Sequence, residues 1–451
     1  GAVSGLMSGA GSGSGAVSGL MSGSGSGSVS GSGSGVVSGV VSGSRDAVFV
    51  FPGQGAQWVG MGVELAGVSP VFAARLGECF GEIGRWVEWD PAQVLADPVG
   101  VGLASIEVLQ PVTFAVGVAL AALWESVGVC PAAVVGHSQG EVAAACVAGV
   151  LSLADAVRVV VLRSRLFARR LQGRGAIAGI ALPADVVREE VAAWGGVLEV
   201  SADNGPSSCA VAGPMGVLGE FVERVRGRGV RARVIASTVA SHSSMVEPLR
   251  DELVEMLAGV APGRGRVPFY STVTGGLVDG GGLGAEYWFA NARRPVVFQQ
   301  AVRALLADGR SAFIEASPHP VLTMAVQDIL DESGGSGGSG GSGAVVGTLR
   351  RDEGGARRFA RSVGEAFTAG IDVDWQRFFT GVDSAHPVVG LPTYAFQHRR
   401  YWLEAGPGGV SDAGGLGQCG VDHPLLGAVV ELPEQDGVVL TGRISVSTHP
   451  W

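Results

Sequence analysis

Ser138 stands between two glycines in the run Gly136-His137-Ser138-Gln139-Gly140, with the apolar AAVV before it and the alanine-rich EVAAACV after it. The G-x-S-x-G pattern in that setting predicts a sharp strand-to-helix turn carrying an exposed hydroxyl, because only glycine leaves room for so tight a reversal. The following helix, expected to begin near Glu141, would aim free N–H groups at the serine, where they can stabilise an oxyanion. A serine hydroxyl is a weak nucleophile at neutral pH and needs a base within hydrogen-bond reach, a task suited to histidine. His137, the immediate neighbour, should project away from the serine at such a turn, which gives it a supporting role. His319, in Ser317-Pro318-His319-Pro320, reads as structural.

A second glycine turn follows the strand-like AVFVF, in FVFPGQGAQWVGMG from Phe49 to Gly62. Trp58 occupies the place where G-x-G-x-x-G requires its third glycine, so a dinucleotide fingerprint is not expected. The reading that fits the serine is a loop whose Gln54 backbone N–H lines the same site.

Composition removes several other classes of function. All 31 basic residues are arginines against 41 acids, for a net charge of −10, and there is no lysine. Schiff-base chemistry and a P-loop lysine are therefore excluded, and with no arginine-rich run nucleic acid is not an expected partner. The five cysteines, Cys79, Cys130, Cys146, Cys209 and Cys419, are scattered and contain no C-x-x-C pair. That argues against a disulfide framework and a metal site, and fits a reducing cytoplasm. No apolar run reaches about 18 residues without a charge or turn signal, so neither a membrane span nor a secretion signal is expected.

The elements that must position these residues follow from the pattern of apolar runs. Short β-branched stretches alternate with helical ones through AVFVF, QPVTFAVGVALAALWESVG, AAVVG and the long run from Glu141 to Leu171. Such alternation predicts an α/β fold with a mainly parallel sheet, here a large α/β-hydrolase-like subdomain. From about 173 to 236 the order becomes β, α, β-turn-β, α, β, close to a ferredoxin-like unit inserted into the larger one. Two subdomains imply a cleft between them. Residues 1–44 are almost wholly Gly, Ser, Ala and Val, and 334–343 are a Gly/Ser run; both read as flexible linker.

Several motifs together resemble one family. FPGQGAQW, GHSQGEVAAA, Arg163-Ser164, VASHS at 239–243, YWFANARRPVVF at 287–298 and EASPHPVL at 315–322 occur in the order seen in acyltransferase domains of modular type I polyketide synthases. The resemblance runs from about 46 to 403, and the family includes stand-alone malonyl-CoA:ACP transacylases. It implies that Ser138 accepts the acyl group, that His242 is its general base, and that Gln54 and Gln139 supply oxyanion-hole N–H groups. It further implies that Arg163 binds the free carboxylate of a malonyl-type group, for which a guanidinium fork is suited. Asn291 is expected in the loop that orients the histidine. No bound cofactor is implied: the substrates are acyl-CoA and the phosphopantetheine thiol of an acyl carrier protein.

The same resemblance bears on which acyl group is chosen. Malonyl-selective members usually carry His-Ala-Phe-His, and methylmalonyl-selective ones Tyr-Ala-Ser-His, where this chain has Val239, Ala240, Ser241 and His242. Serine at 241 leaves room for an α-branch, and Gln139 and the IEVLQP segment containing Gln110 also resemble the methylmalonyl group. Val239 in place of tyrosine leaves ethylmalonyl or a larger extender as the alternative.

The implied organisation is a linker at 1–44, the acyltransferase domain at 45–345, and a segment at 346–404 that packs back on it. A linker at 405–422 and the start of a dehydratase domain at 423–451 would follow. LPTYAFQHRRYWLE at 391–404 should anchor the returning segment through Tyr394, Phe396, Tyr401 and Trp402. The chain stops before the expected dehydratase histidine and begins with neither a ketosynthase nor its linker, so it reads as a piece of a multidomain protein. Ketosynthase and dehydratase domains are the expected neighbours. Two other functions share parts of the signal: a serine hydrolase or editing thioesterase, and a silent docking domain.

Overall fold

The structure is a computed structural model that describes residues 45–97, 99–235, 239–334, 343–380, 413–414, 416–447 and 449–450. The expectations for 1–44, 335–342 and 391–404 lie outside the described residues. Those described fall into two units, one within 1–382 and one within 383–451.

The first unit is built on a six-stranded sheet in the order β11-β10-β1-β2-β7-β8. Its strands are β1 (Ala47–Phe51), β2 (Pro131–Gly136), β7 (Phe269–Ser271), β8 (Gly276–Val278), β10 (Ala312–Glu315) and β11 (Ala344–Gly347). All neighbours run parallel except β7 and β8. AVFVF is apolar at every position because β1 is covered on both faces, as central parallel strands are. Phe49 and Phe51 enter one core with Trp124 and Leu120, while Val48 and Val50 enter another with Phe298 and Val326. The helix Ile106–Ser126 has the length and apolarity of a membrane span, yet 83% of its apolar window is buried within the protein.

Inserted between β2 and β7 is the expected ferredoxin-like unit. Its strands are β3 (Gly175–Ile180), β4 (Glu199–Gly205), β5 (Ser208–Pro214) and β6 (Ala232–Val234), with helices Ala184–Ala192 and Met215–Arg226 between them. Ala176, Ala178 and Ile180 of β3 pack with Val187, Leu218 and Phe221 of the helices. One strand comes from outside the insertion: β9 (Val296–Val297) pairs parallel to β4, with Ala202 opposite Val296. The small sheet is therefore stitched to the large unit along its β4 edge.

The boundary expected at 345 falls inside β11, an edge strand of the main sheet. Beyond it, Phe359, Val363, Ala366 and Ile371 are part of the same core as Trp124, and the Trp124 and Phe359 rings meet edge-on at 5.1 Å. The second unit contains a three-stranded antiparallel sheet, β12 (Cys419–Gly420), β13 (Ala428–Leu432) and β14 (Gly437–Thr441).

Candidate active site

The turn at Ser138 is made possible by close contacts on both sides. A Cβ on Gly140 would lie 2.1 Å from the Phe51 carbonyl oxygen, and one on Gly136 would lie 2.2 Å from the Glu141 nitrogen. A side chain at Gly140 would push the helix Gly140–Val147 off the end of β1, and one at Gly136 would push it off the end of β2. Ser138 itself takes φ 57°, a region that costs a non-glycine residue energy and that marks functional sites.

Ser138 Oγ lies 2.6 Å from His242 Nε2. The other ring nitrogen, Nδ1, is 2.9 Å from the Arg294 carbonyl oxygen. A carbonyl can only accept, so Nδ1 carries the proton and Nε2 presents its lone pair to the serine hydroxyl. The His242 backbone is pinned as well, its N–H donating to the Ala292 carbonyl at 2.8 Å. Burial pushes the imidazole down to about 3; the Arg294 carbonyl opposes that shift, while His137 and Arg163 add to it.

The Gln54 and Gln139 backbone N–H groups donate to no acceptor among the described residues. Gly53 lies against the elbow, where a Cβ would come within 3.1 Å of the His137 carbonyl and 3.4 Å of Ser138 Cβ. Beneath it a cavity of about 20 Å³ is lined by Gln110, Thr113, Gln139 and Ser317 among others, and the Oε1 atoms of Gln110 and Gln139 have no protein partner. Val239, Ala240 and Ser241 do not line that cavity. Val239 is packed into the main core, and Ala240 lies against Gly175.

Arg163, on the helix Leu153–Arg170, is 2% exposed. Its Nη1 donates to Asn291 Oδ1 at 2.7 Å, whereas Nε and Nη2 are buried without a partner. Burial lowers the guanidinium pKa to about 10, which still leaves it charged at neutral pH; the Glu141 carboxylate opposes the shift. The expectation that Asn291 lies in a loop orienting the histidine is corrected here. It lies within the helix Ala285–Arg293 and holds the arginine, and the histidine is oriented by the carbonyl of Arg294 just beyond that helix. The reason is geometric, since a helical side chain reaches sideways whereas the carbonyls at the helix end are free to accept.

His137 turns away from Ser138, its Nε2 2.7 Å from Asn204 Oδ1 at the end of β4. The EASPHPVL segment is organised by Glu315, whose carboxylate accepts from Ser317 Oγ and from the N–H groups of Val321, Leu322 and Thr323. His319 Nδ1 accepts from the Arg351 N–H at 3.2 Å.

Comparison with known proteins decides the family. A profile described as the acyl transferase domain matches residues 48–373, most of the chain. The chain belongs to the acyl transferase domain family. It is 49% identical over 403 residues to polyketide synthase GfsE of Streptomyces halstedii, covering 89% of this chain and 10% of that protein. It is 47% identical over 405 residues to mycoketide-CoA synthase of Mycobacterium tuberculosis, covering 90% of this chain and 10% of that one. This acyl transferase domain thus spans about a tenth of the length of these relatives. Among solved structures, the acyltransferase domain from module 8 of the salinomycin polyketide synthase is 49% identical, with a TM-score of 0.71 over 75% of this chain and 78% of that one. The acyl transferase domain of SpnD, in complex with 2-(pent-4-yn-1-yl)malonyl, is 29% identical with a TM-score of 0.66, covering 74% of this chain and 79% of that one.

The acyl transferase domain also contains polar residues that sequence reasoning passed over: Glu141, Asn204, Thr272 and Tyr287. Glu141 is wholly buried, and its carboxylate is held by Thr272, Tyr287 and Asn291. One signal was available, an acid as the single charge in the apolar helix GEVAAACV. The other three gave none, because the site residues they hold, His137 and Glu141, are 67 or more residues away in sequence.

Proposed function

We propose that this domain is an extender-unit acyltransferase of a polyketide synthase, moving an α-substituted malonyl group, methylmalonyl by preference, from CoA to an acyl carrier protein. The observation that carries this reading is the buried, half-unpartnered Arg163 fork in the same hydrogen-bonded cluster as the Ser138–His242 pair, linked through Asn291, which also donates to the Ser138 carbonyl at 3.1 Å. A simple acyl ester has no free carboxylate for such a fork.

In the first half-reaction His242 Nε2 takes the hydroxyl proton as Ser138 Oγ attacks the thioester carbon. The oxyanion is received by the Gln54 and Gln139 N–H groups. Collapse breaks the C–S bond, and the departing CoA sulfur takes the proton back from His242. The second half-reaction is the reverse: the phosphopantetheine thiol gives its proton to His242, attacks the ester, and Ser138 leaves as the hydroxyl. No bound cofactor takes part; the reagents are acyl-CoA and the carrier's phosphopantetheine.

The hydrolase reading has less support, since His242 Nδ1 is paired with a backbone carbonyl rather than the acid that serine hydrolases place there. Intact Ser138 and His242 in bonding contact weigh against a silent docking domain. For the extender, Ser241, Gln139 and Gln110 favour a methyl branch, Val239 keeps ethylmalonyl or larger groups as the second reading, and a related domain was solved with an α-substituted malonyl. A pocket separates one methylene by about 1–3 kcal/mol, so preference rather than exclusion is expected. Ketosynthase and dehydratase neighbours, with a dehydratase beginning near 423, and a reducing cytoplasm complete the proposal; the five cysteines are all free thiols.

Intact-mass competition among methylmalonyl-, ethylmalonyl- and malonyl-CoA tests it. A methylmalonyl adduct on Ser138 should dominate, with ethylmalonyl second. A dominant malonyl adduct would overturn the extender assignment, and rapid hydrolysis with no adduct would overturn the transferase.

A further inference from the structure

We infer that Glu141 is the positioning residue for Arg163, acting through the side-chain amide of Asn291, and so sets selectivity for carboxylated acyl groups. The inference rests on the reading of Arg163 as the carboxylate-binding residue.

Every group facing the Glu141 carboxylate can donate. Oε1 accepts from the Thr272 backbone N–H and lies 2.8 Å from Thr272 Oγ1. Oε2 accepts from Tyr287 OH at 2.7 Å and from Asn291 Nδ2 at 2.8 Å. Asn291 in turn has no freedom of orientation. Arg163 Nη1 can only donate, so the atom facing it must be Oδ1, and Nδ2 is left facing two acceptors, Glu141 Oε2 and the Ser138 carbonyl. The carboxylate thus dictates which way the amide points, and the amide dictates where the guanidinium sits. With Nη1 tied back, Nε and Nη2 remain for a ligand. Glu141 also supplies a negative charge within the cluster that holds a buried cation.

Glu141→Gln separates this from simple support of the fold, because it nearly preserves shape and removes one acceptor. If the new amide keeps its oxygen toward Thr272, its NH2 faces Tyr287 OH and Asn291 Nδ2. The Tyr287 hydroxyl can rotate to accept from it and donate instead to Ser271 Oγ, 2.7 Å away. Asn291 cannot comply: flipping its amide to offer oxygen to the new NH2 would turn its own NH2 against Arg163. Unflipped, Asn291 loses its hold on residue 141 and is no longer oriented by it; flipped, it sets its NH2 against Arg163, so either orientation breaks the relay.

The experiment measures acylation of the intact chain by methylmalonyl-CoA and by propionyl-CoA, with rates and half-saturating concentrations read from intact mass, in wild type, E141Q, R163A and the double variant. Loss of a hydrogen bond to a charged group corresponds to about 10–100-fold. E141Q should lose that factor for methylmalonyl, mainly as a higher half-saturating concentration, while propionyl stays within about 3-fold. In the R163A background, E141Q should add nothing further for methylmalonyl. Equal loss for both acyl groups, or an undiminished preference for methylmalonyl in E141Q while R163A loses it, overturns the inference and leaves the Arg163 reading standing. Equal loss for both groups in R163A overturns the Arg163 reading and the inference with it. If E141Q does not unfold cooperatively, Asn291→Ala interrupts the same relay and is read by ratio alone, because Asn291 also touches the Ser138 carbonyl: the preference for methylmalonyl over propionyl should fall by about 10-fold or more, and an unchanged ratio overturns the inference.

Discussion

Ser138 and His242 are both held in the left-handed backbone region, at φ 57° and 59°, and their facing atoms meet at 2.6 Å. Neither is glycine, so each position costs about 1–2 kcal/mol. The surrounding structure imposes both conformations. The serine is trapped between the tight contacts at Gly136 and Gly140, and the histidine is clamped by the Ala292 and Arg294 carbonyls. Strain at two residues 104 apart in sequence is thus converted into one aimed hydrogen bond.

Ser138→Ala should abolish the acyl-enzyme adduct while the domain still unfolds cooperatively, with a loss of about 1–3 kcal/mol, because alanine meets the same φ and the buried His242 Nε2 is left without its donor. Intact mass after exposure to acyl-CoA checks the first part, and chemical denaturation the second. A labelled Ser138→Ala protein would refute the assignment of the nucleophile.

His242→Ala should slow acylation at least ~10²-fold, the typical contribution of a positioned base. Single-turnover rates near those of wild type would remove His242 from that role.

Arg163→Ala should weaken carboxylated acyl groups by about 10–100-fold relative to acetyl or propionyl, since only the former use the free Nε and Nη2 donors. Competition between methylmalonyl- and propionyl-CoA reads this directly.

Acylation should show no acid limb near pH 6.5. His242 is held neutral down to about 3, so its Nε2 lone pair is available throughout the range above that. Rates from rapid quenching should stay flat, within about 2-fold, from about pH 7.5 to 5.5. Stability should behave differently. An unfolded histidine binds a proton below about 6.5 and the buried one does not, so the unfolded state gains protons as pH falls. His242 alone should lower stability by roughly 2 kcal/mol at pH 5, declining from about 6.5 downward. Denaturation midpoints across that range test the sign; a half-loss of rate centred on about 6.5 would contradict the buried, neutral base.

Gly140→Ala should destabilise the domain by more than about 2 kcal/mol and depress acylation, because its Cβ would sit 2.1 Å from the rigid Phe51 carbonyl. An unchanged midpoint would mean that the elbow tolerates a displacement this structure does not allow.

The parts legible in the sequence were those encoded locally. AVFVF and PAAVVG are apolar at nearly every position, which suits strands covered on both faces. Gly136 and Gly140 carry the steric condition for the turn in their own identity, and the β-α-β-β-α-β order of the small subdomain follows from period and turn residues. The tertiary structure alone decided the rest. A buried polar group must find partners wherever the fold delivers them, and Glu141 finds Thr272 and Tyr287, 131 and 146 residues away. Asn291 could not be assigned to Arg163 rather than to His242 until the helix Ala285–Arg293 was in place. The short strand Val296–Val297 has too few residues to declare itself, yet it ties the inserted sheet to the large unit. Periodicity reports which face of an element is covered; which polar atoms then meet is settled by packing between segments that the sequence keeps far apart.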